Sequence, residues 1–340
     1  MVLTTPLLAR VAEAGPVHVV ATPANASLLA NHPAVTSVLV YDKRGADRGW
    51  RGLQRMAARV RALGADTAYL AQGSVRTAVV ATLAGIPRRV GFASSAGKWL
   101  YTHRVPYVRS WHHAERLWSL ASAESGSPER MPSGSRPALY PGPSEAAAVD
   151  ALFAEHGVQP QHRLVAFAPG SVWATKRWPG FDALAAHLAA SDTSHETRIV
   201  VLGGPDDRTL ATHIAEAAAS QGPERHAVID ATGRLSLLAS AALLARVSLL
   251  VSNDSAPLHL ASAMNTPTVA LFGPTVPGMG FGPLSERHRV LGVDTLGCRP
   301  CGAHGAKRCP LGHWRCMRDL SVAAVIDPIT ELVQLRSNDD

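Results

Sequence analysis

Three loops in the carboxy-terminal half of this 340-residue chain bring together side chains suited to holding an anion. The first reads Pro169-Gly170-Ser171-Val172-Trp173-Ala174-Thr175-Lys176-Arg177-Trp178-Pro179. Gly170 lets backbone approach a ligand closely. Ser171 and Thr175 offer hydroxyl donors, Lys176 offers a point charge, and Pro179 is tolerated as a first helical residue. The set suits a phosphate without forming a Walker loop; its plainer reading is a tight turn with a solvated Lys-Arg pair. In the second loop, Leu202-Gly203-Gly204-Pro205-Asp206-Asp207-Arg208, an aspartate either meets ribose hydroxyls or caps a helix. The third, Ser252-Asn253-Asp254-Ser255-Ala256-Pro257-Leu258-His259-Leu260-Ala261, follows an apolar run and opens a helix. Asp254 and Ser255 are expected to cap that helix, with amides suited to phosphate, and His259 falls within its first turns.

Four cysteines form a separate feature: Cys298, Cys301, Cys309 and Cys316, with His304 and His313 among them. A Cys-x-x-Cys knuckle followed by two further thiols suits a tetrahedral structural zinc. The second half is not another Cys-x-x-Cys, so a redox-labile pair or reduced thiols packing a long loop are the alternatives.

The elements that must position these loops alternate short β-branched runs with alanine- and leucine-rich stretches, the pattern of parallel α/β domains. Strands are expected over residues 17–21, 35–41, 67–71 and 88–92, then 164–168, 198–202, 227–230, 248–252 and 268–272. Helices are expected at 4–13, 50–63, 76–84 and 113–123, then 181–190, 207–219, 237–245 and 257–263. A Ser-, Gly- and Pro-rich stretch from Glu124 to Pro143 reads as a linker. Two Rossmann-like, doubly wound domains facing a cleft follow, 1–140 and 141–340, with ligands at the carboxyl ends of strands. At 46% hydrophobic and 17% charged, with a mean hydropathy of +0.05, the chain is not a disordered one. Its longest apolar run, Ser236 to Ala245, is far short of the ~20 residues a membrane span needs. No signal peptide is visible, and a cytoplasmic location is expected. Up to residue 140 there are 17 basic and 7 acidic residues; the remainder has 16 and 19. The first half therefore suits an anionic partner such as a phosphorylated glycolipid or a membrane surface, or is a solvated arginine-rich face. Nucleic acid is disfavoured, because aromatics are 5% and no expected strand presents them for stacking. The absence of Gly-x-Gly-x-x-Gly argues against a dehydrogenase.

The segment Asn253 to Ala261, followed by Thr266-Pro267-Thr268-Val269-Ala270-Leu271-Phe272-Gly273-Pro274-Thr275, resembles the family 9 glycosyltransferases, the bacterial lipopolysaccharide heptosyltransferases. The Gly170-Ser171 to Pro179 loop, the cysteine segment and the opening Val2-Leu3-Thr4-Thr5-Pro6-Leu7-Leu8 are similar to the same family. The resemblance implies a GT-B fold and inverting transfer of heptose from ADP-L-glycero-D-manno-heptose to the inner core of lipopolysaccharide, with no required metal or other cofactor. It implies that Ser171, Thr175 and Lys176 hold the diphosphate and that Asp254 contacts the donor heptose. Ser255, Ala256 and His259 would line the donor phosphate and sugar site, and Leu235 would pack the adenine. The enzyme would act in the cytoplasm, peripherally at the inner face of the inner membrane, on an anionic lipopolysaccharide-core acceptor.

One departure bears on catalysis. Family members carry a strand and a Gly-Asp pair just before the first helix, and that aspartate is the proposed base. Here the chain starts where the pair should stand, so no strand is expected before the first helix, a loss that would leave two neighbours in a doubly wound sheet unpaired, and no residue is assigned the base; Asp42, Asp47 and Asp66 match no motif. The expectation is a natural reading frame that begins upstream of Met1, and an immediate in-frame stop codon there would overturn it. The alternatives are a catalytically inactive nucleotide-sugar-binding homologue and a family member using another nucleotide-sugar. His112 and His113 are read as a solvent-facing cap region, with acceptor binding as the other reading.

Overall fold

The computed structural model describes residues 1–123, 127–192, 196–221, 228–302 and 304–337. The first residues of the expected linker and residue 227 of an expected strand lie outside them. The chain divides into two compact units, Met1–Tyr140 and Pro141–Asp340.

The first unit has strands β1 (His18–Ala21), β2 (Ser37–Val40), β3 (Thr67–Tyr69), β4 (Arg88–Phe92) and β5 (His103–Val105). They form two separate parallel sheets, β1-β2 and β3-β4-β5, the unpaired neighbours expected of a doubly wound sheet without its central strand. Helix Gly49–Arg61 crosses from one sheet to the other. It buries Leu53, Met56, Ala57 and Val60, the i, i+3, i+4, i+7 stripe of an amphipathic helix. Gly64, just past its end, takes φ +66°, a conformation that only glycine adopts freely. That stripe packs with Ala78, Val80 and Ala81 of helix Val75–Leu83 and with Leu70 and Tyr101. Leu39 of β2 and Ala68 of β3 lie against the same core, so one helical layer serves both sheets.

The second unit opens with helix Pro143–Glu155, in which Pro143 stands where a missing N–H costs nothing. Its sheet comprises β6 (Arg163–Ala168), β7 (Thr197–Val201), β8 (Val228–Asp230), β9 (Leu249–Asn253), β10 (Thr268–Leu271) and β11 (His288–Leu291). All neighbours are parallel and the order is β11-β10-β9-β6-β7-β8. Both faces are covered, which explains the nearly unbroken apolar runs of β6 and β9. Val165, Phe167, Ile199, Val201, Val251 and Leu271 point one way, into a core with helices Phe181–Ser191, Arg208–Ala219 and Val322–Ser337. Alternate residues Ala270 and Phe272 point the other way, against Leu258 of helix Ala256–Met264. Full burial of each large side chain here stabilises the fold by roughly 1.5–3 kcal/mol.

Candidate active site

The order of the second sheet fixes where a ligand fits. From β6 the chain builds outward through β7 and β8, then returns to place β9 on the other side of β6. The helix after β6 covers one face and the helix after β9 covers the other. The two loops therefore diverge at the carboxyl ends of adjacent strands and leave a crevice, as at the switch point of any open parallel sheet. A cavity of about 450 Å³ lies there, lined by Ser171, Val172, Trp173 and Lys176 from the first loop and by Asp254, Ser255, Ala256 and His259 from the second. Phe272, Thr275, Val276, Met279, Phe281 and His304 complete the wall.

Asn253, fully buried at the end of β9, holds the first loop in shape. Its Oδ1 accepts the Trp178 amide (3.1 Å), and its Nδ2 donates to the Pro169 carbonyl (2.8 Å). One side chain thus ties both ends of the loop to the strand that carries the other loop. Within the loop, Arg177 Nε donates to the Ser171 carbonyl (2.9 Å), and a 3-10 turn forms over Ala174–Lys176. Trp178 is buried, stacks edge-on against Phe181 and donates its indole N–H to the Leu320 carbonyl (2.9 Å). Gly170 has no room for a side chain, because a Cβ there would come within 2.4 Å of the Asp207 carboxylate.

At the centre, Lys176 Nζ meets Asp254 Oδ2 at 2.6 Å, and Thr275 Oγ1 donates to the same oxygen at 2.7 Å. The lysine and aspartate side chains are only 12% and 10% exposed, so each charge depends on the other for the solvation that water has lost. Ser255 sits at the N-cap of helix Ala256–Met264 but makes no capping bond, and its buried Oγ has no hydrogen-bond partner among the described residues. A hydroxyl at a helix mouth, beside the partial positive charge of that end, is placed to receive an anion.

Several expectations change. Asp254 does not cap the helix; its carboxylate is committed to Lys176 and Thr275. Thr175 lies outside the cavity wall, buried, with its hydroxyl donated to the Ala306 carbonyl (2.5 Å). Leu235 also lies outside it, half-buried in the turn before helix Leu237–Arg246. Asp207 accepts the Gly204 amide (2.9 Å) and borders Gly170, and neither it nor Asp206 lines the cavity. Pro179 precedes its helix, which begins at Phe181 after the N-cap Gly180. Ser171, Lys176, Asp254, Ser255, Ala256 and His259 are brought together as one surface. Sequence reasoning gave no role to Asn253, Phe281 or His304. His304 reaches the cavity because its loop is clamped to the wall: Arg299, its side chain 4% exposed, donates to the carbonyls of Phe272, Gly273 and Thr275. The Cys301 amide adds a bond to the Pro274 carbonyl (2.8 Å).

The structural-zinc reading of Cys298, Cys301, Cys309 and Cys316 does not fit this geometry. All four are free thiols, and among the described residues no three His, Cys, Asp or Glu side chains are grouped to hold a metal. Burial raises the Cys301 and Cys316 pKa values, and the neighbouring cysteines act in the same direction. Cys316 lies in the main core. Cys309 is shifted the other way, chiefly by the Trp314 amide.

A parallel α/β unit whose switch-point crevice holds an ammonium, a helix mouth and an apolar wall is, in class, a ligand-binding α/β domain with a pocket suited to an anion. The comparisons with known proteins agree. Residues 53–314 match the model of glycosyltransferase family 9 (heptosyltransferase), and the chain belongs to that family. It is 24% identical over 273 residues to lipopolysaccharide heptosyltransferase 2 of Escherichia coli K12, covering 79% of this chain and 75% of that enzyme. Two Campylobacter jejuni lipooligosaccharide heptosyltransferases match over about half their length. Among solved structures, the family 9 glycosyltransferase of Veillonella parvula superposes with a TM-score of 0.82 at 23% identity, covering 98% of this chain and 93% of that one. The E. coli ADP-heptose heptosyltransferase II gives 0.74 at 22% identity, covering 99% and 96%. These likenesses place the fold in the GT-B class.

Proposed function

We propose that this glycosyltransferase moves heptose from ADP-L-glycero-D-manno-heptose to the inner core of lipopolysaccharide, with inversion at the anomeric carbon. The observation that carries the reading is the Lys176–Asp254–Thr275 cluster beside the mouth of helix Ala256–Met264, all on one cavity wall. In that role Lys176 and the Ser255 hydroxyl receive the donor diphosphate and stabilise the negative charge that grows as it departs. Asp254 exchanges its bond with Lys176 for the sugar hydroxyls, and His259 borders the same space. Phe272, Met279 and Phe281 supply the apolar surface, which excludes water around the breaking bond. The acceptor is anionic and is met by the first unit, with its 17 basic and 7 acidic residues. No helix among the described residues is long and apolar enough to cross a membrane. We place the activity in the cytoplasm, at the inner face of the inner membrane.

A second reading, donor binding without turnover, is favoured by the state of the aspartates in the first unit. Asp42 accepts the Gly45 and Ala46 amides, and Asp47 accepts the Asp42 amide and pairs with Arg55 (3.4 Å). Both brace their own loop. Asp66 is exposed and precedes β3, at the end of the strand away from the ligand-binding edge of such sheets.

Calorimetric titration with ADP, alongside a transfer assay, tests both readings. Lys176→Ala is expected to weaken ADP binding by about 1.5–3 kcal/mol, the worth of a charge-assisted contact. Unchanged affinity would remove the cluster from the donor site. Tight ADP binding with no transfer to any core acceptor would favour the second reading.

A further inference from the structure

A stretch of the first unit is charged in one sense only. Between Asp66 and Glu115 there is no Asp or Glu, while Arg76, Arg88, Arg89, Lys98, Arg104 and Arg109 supply six positive charges. This stretch contains β3, β4 and β5, and because the three strands are parallel, the loops that follow β3 and β4 leave from the same edge. The Gly97 amide donates to the Gly73 carbonyl (3.3 Å) and joins those loops into one rim. Gly73 takes φ +68° and lies against Ser95, where a Cβ would come within 2.5 Å of its Oγ.

Two apolar side chains stand out from this rim: Trp99, 77% exposed, and Val75, 51% exposed. Trp99 is held there by its neighbours. It sits in the 3-10 turn Lys98–Leu100; Leu100 packs on the core, and Tyr101, 5% exposed, fills the space over Gly91. Arg104 Nε donates to the Lys98 carbonyl (3.2 Å), and Lys98 Nζ lies 5.2 Å from the Trp99 ring centre. Burying Trp99 against the protein would require unpacking Leu100 and Tyr101.

We propose that this rim is the surface by which the protein rests on an anionic phospholipid bilayer. Trp99 and Val75 enter the headgroup layer, while Lys98, Arg76 and Arg104 face lipid phosphates. An indole prefers the membrane–water interface, and basic side chains beside it are drawn to anionic leaflets. The inference rests on the reading that the acceptor is lipid-borne. It distinguishes this rim from the other widely exposed tryptophan of the unit, Trp50 (59%), which follows a loop containing Asp42 and Asp47.

Co-sedimentation with phosphatidylcholine vesicles, with and without about one third phosphatidylglycerol, tests the proposal. The full chain is expected to bind only the anionic vesicles and to be released as salt rises from about 0.1 to 0.5 M. Trp99→Ser and Lys98→Glu are each expected to lower the bound fraction at least about fivefold, and Trp50→Ser less than twofold. Absence of binding, equal binding to neutral vesicles, or equal loss from Trp99→Ser and Trp50→Ser would overturn it. ADP titration on the same proteins keeps the two claims apart. Absence of vesicle binding by the parent protein with ADP affinity intact tells against the rim alone, and vesicle binding by the parent without ADP affinity tells against the donor site alone.

Discussion

Asn253 gives both ends of its amide to the backbone of another segment, so the shape of the cavity depends on one side chain that does not line it. Replacing it with leucine, of similar volume, leaves the Trp178 N–H and the Pro169 carbonyl buried and unmet. A cost of about 2–4 kcal/mol is expected from two unsatisfied groups, seen as a lowered melting temperature together with weakened ADP binding. A stability loss with unchanged ADP affinity would show that the loop keeps its shape without this tie. At this scale the sequence was partly legible. Ser171, Lys176, Asp254, Ser255 and His259 were named from motif and spacing and Ala256 from the family resemblance, and the structure gathers them on one surface. Thr175 was named on the same grounds, yet its hydroxyl turns to the Ala306 carbonyl, a residue 131 positions later, and no local pattern encodes that contact. His304 was visible only as a neighbour of cysteines; its approach to the cavity depends on Arg299 and three carbonyls at the end of β10.

At the scale of elements, the loops after β6 and β7 press on each other where Gly170 meets Asp207. Gly170→Ala puts a methyl group within 2.4 Å of that carboxylate, so the single substitution is expected to destabilise by about 1–3 kcal/mol as an overpacked contact. Adding Asp207→Ala to it is expected to recover part of the loss, giving a non-additive double mutant in thermal melts. A different element is sensitive to acid. His112 caps helix His113–Trp118, its Nδ1 accepting the Ala114 amide, and the next residue, His113, is pushed down to about 4, first by burial and then by Arg116 and His112. His113 is therefore neutral in the folded protein where the unfolded chain would already hold a proton. Stability is expected to fall as pH drops from about 6.5 towards 4, by at most about 3 kcal/mol from this group. Melting temperatures at pH 7 and pH 5 should converge in His113→Gln and differ in the parent. Longer elements were readable from their periodicity, as Gly49–Arg61 was. The three-residue strand β5 and helix Pro143–Glu155 were not. His103-Arg104-Val105 is too short for an alternation to register, and the alanine-rich helix, whose buried residues are only Val149, Leu152 and Phe153, follows directly on a proline- and glycine-rich stretch.

Across the whole molecule, charge and chemistry are partitioned between the two units. The residues lining the cavity all belong to the second, and the excess of basic residues lies in the first. That division was legible from composition alone. The split of the first unit into two sheets was legible from topology rather than from hydropathy: with no strand before the first helix, the neighbours of a central strand are left unpaired. The order of the second sheet has a dynamic consequence. The strands that feed the cavity, β6 and β9, are neighbours in its middle, where Phe167 pairs with Val251, while β8 and β11 form the margins. Fraying begins at margins, so warming should loosen β8 and β11 while the pocket keeps its form. Hydrogen exchange followed by mass spectrometry is expected to show peptides of β6 and β9 exchanging most slowly, and ADP to add little further protection to them. Uniform exchange across all six strands would mean that the pocket melts together with its surroundings.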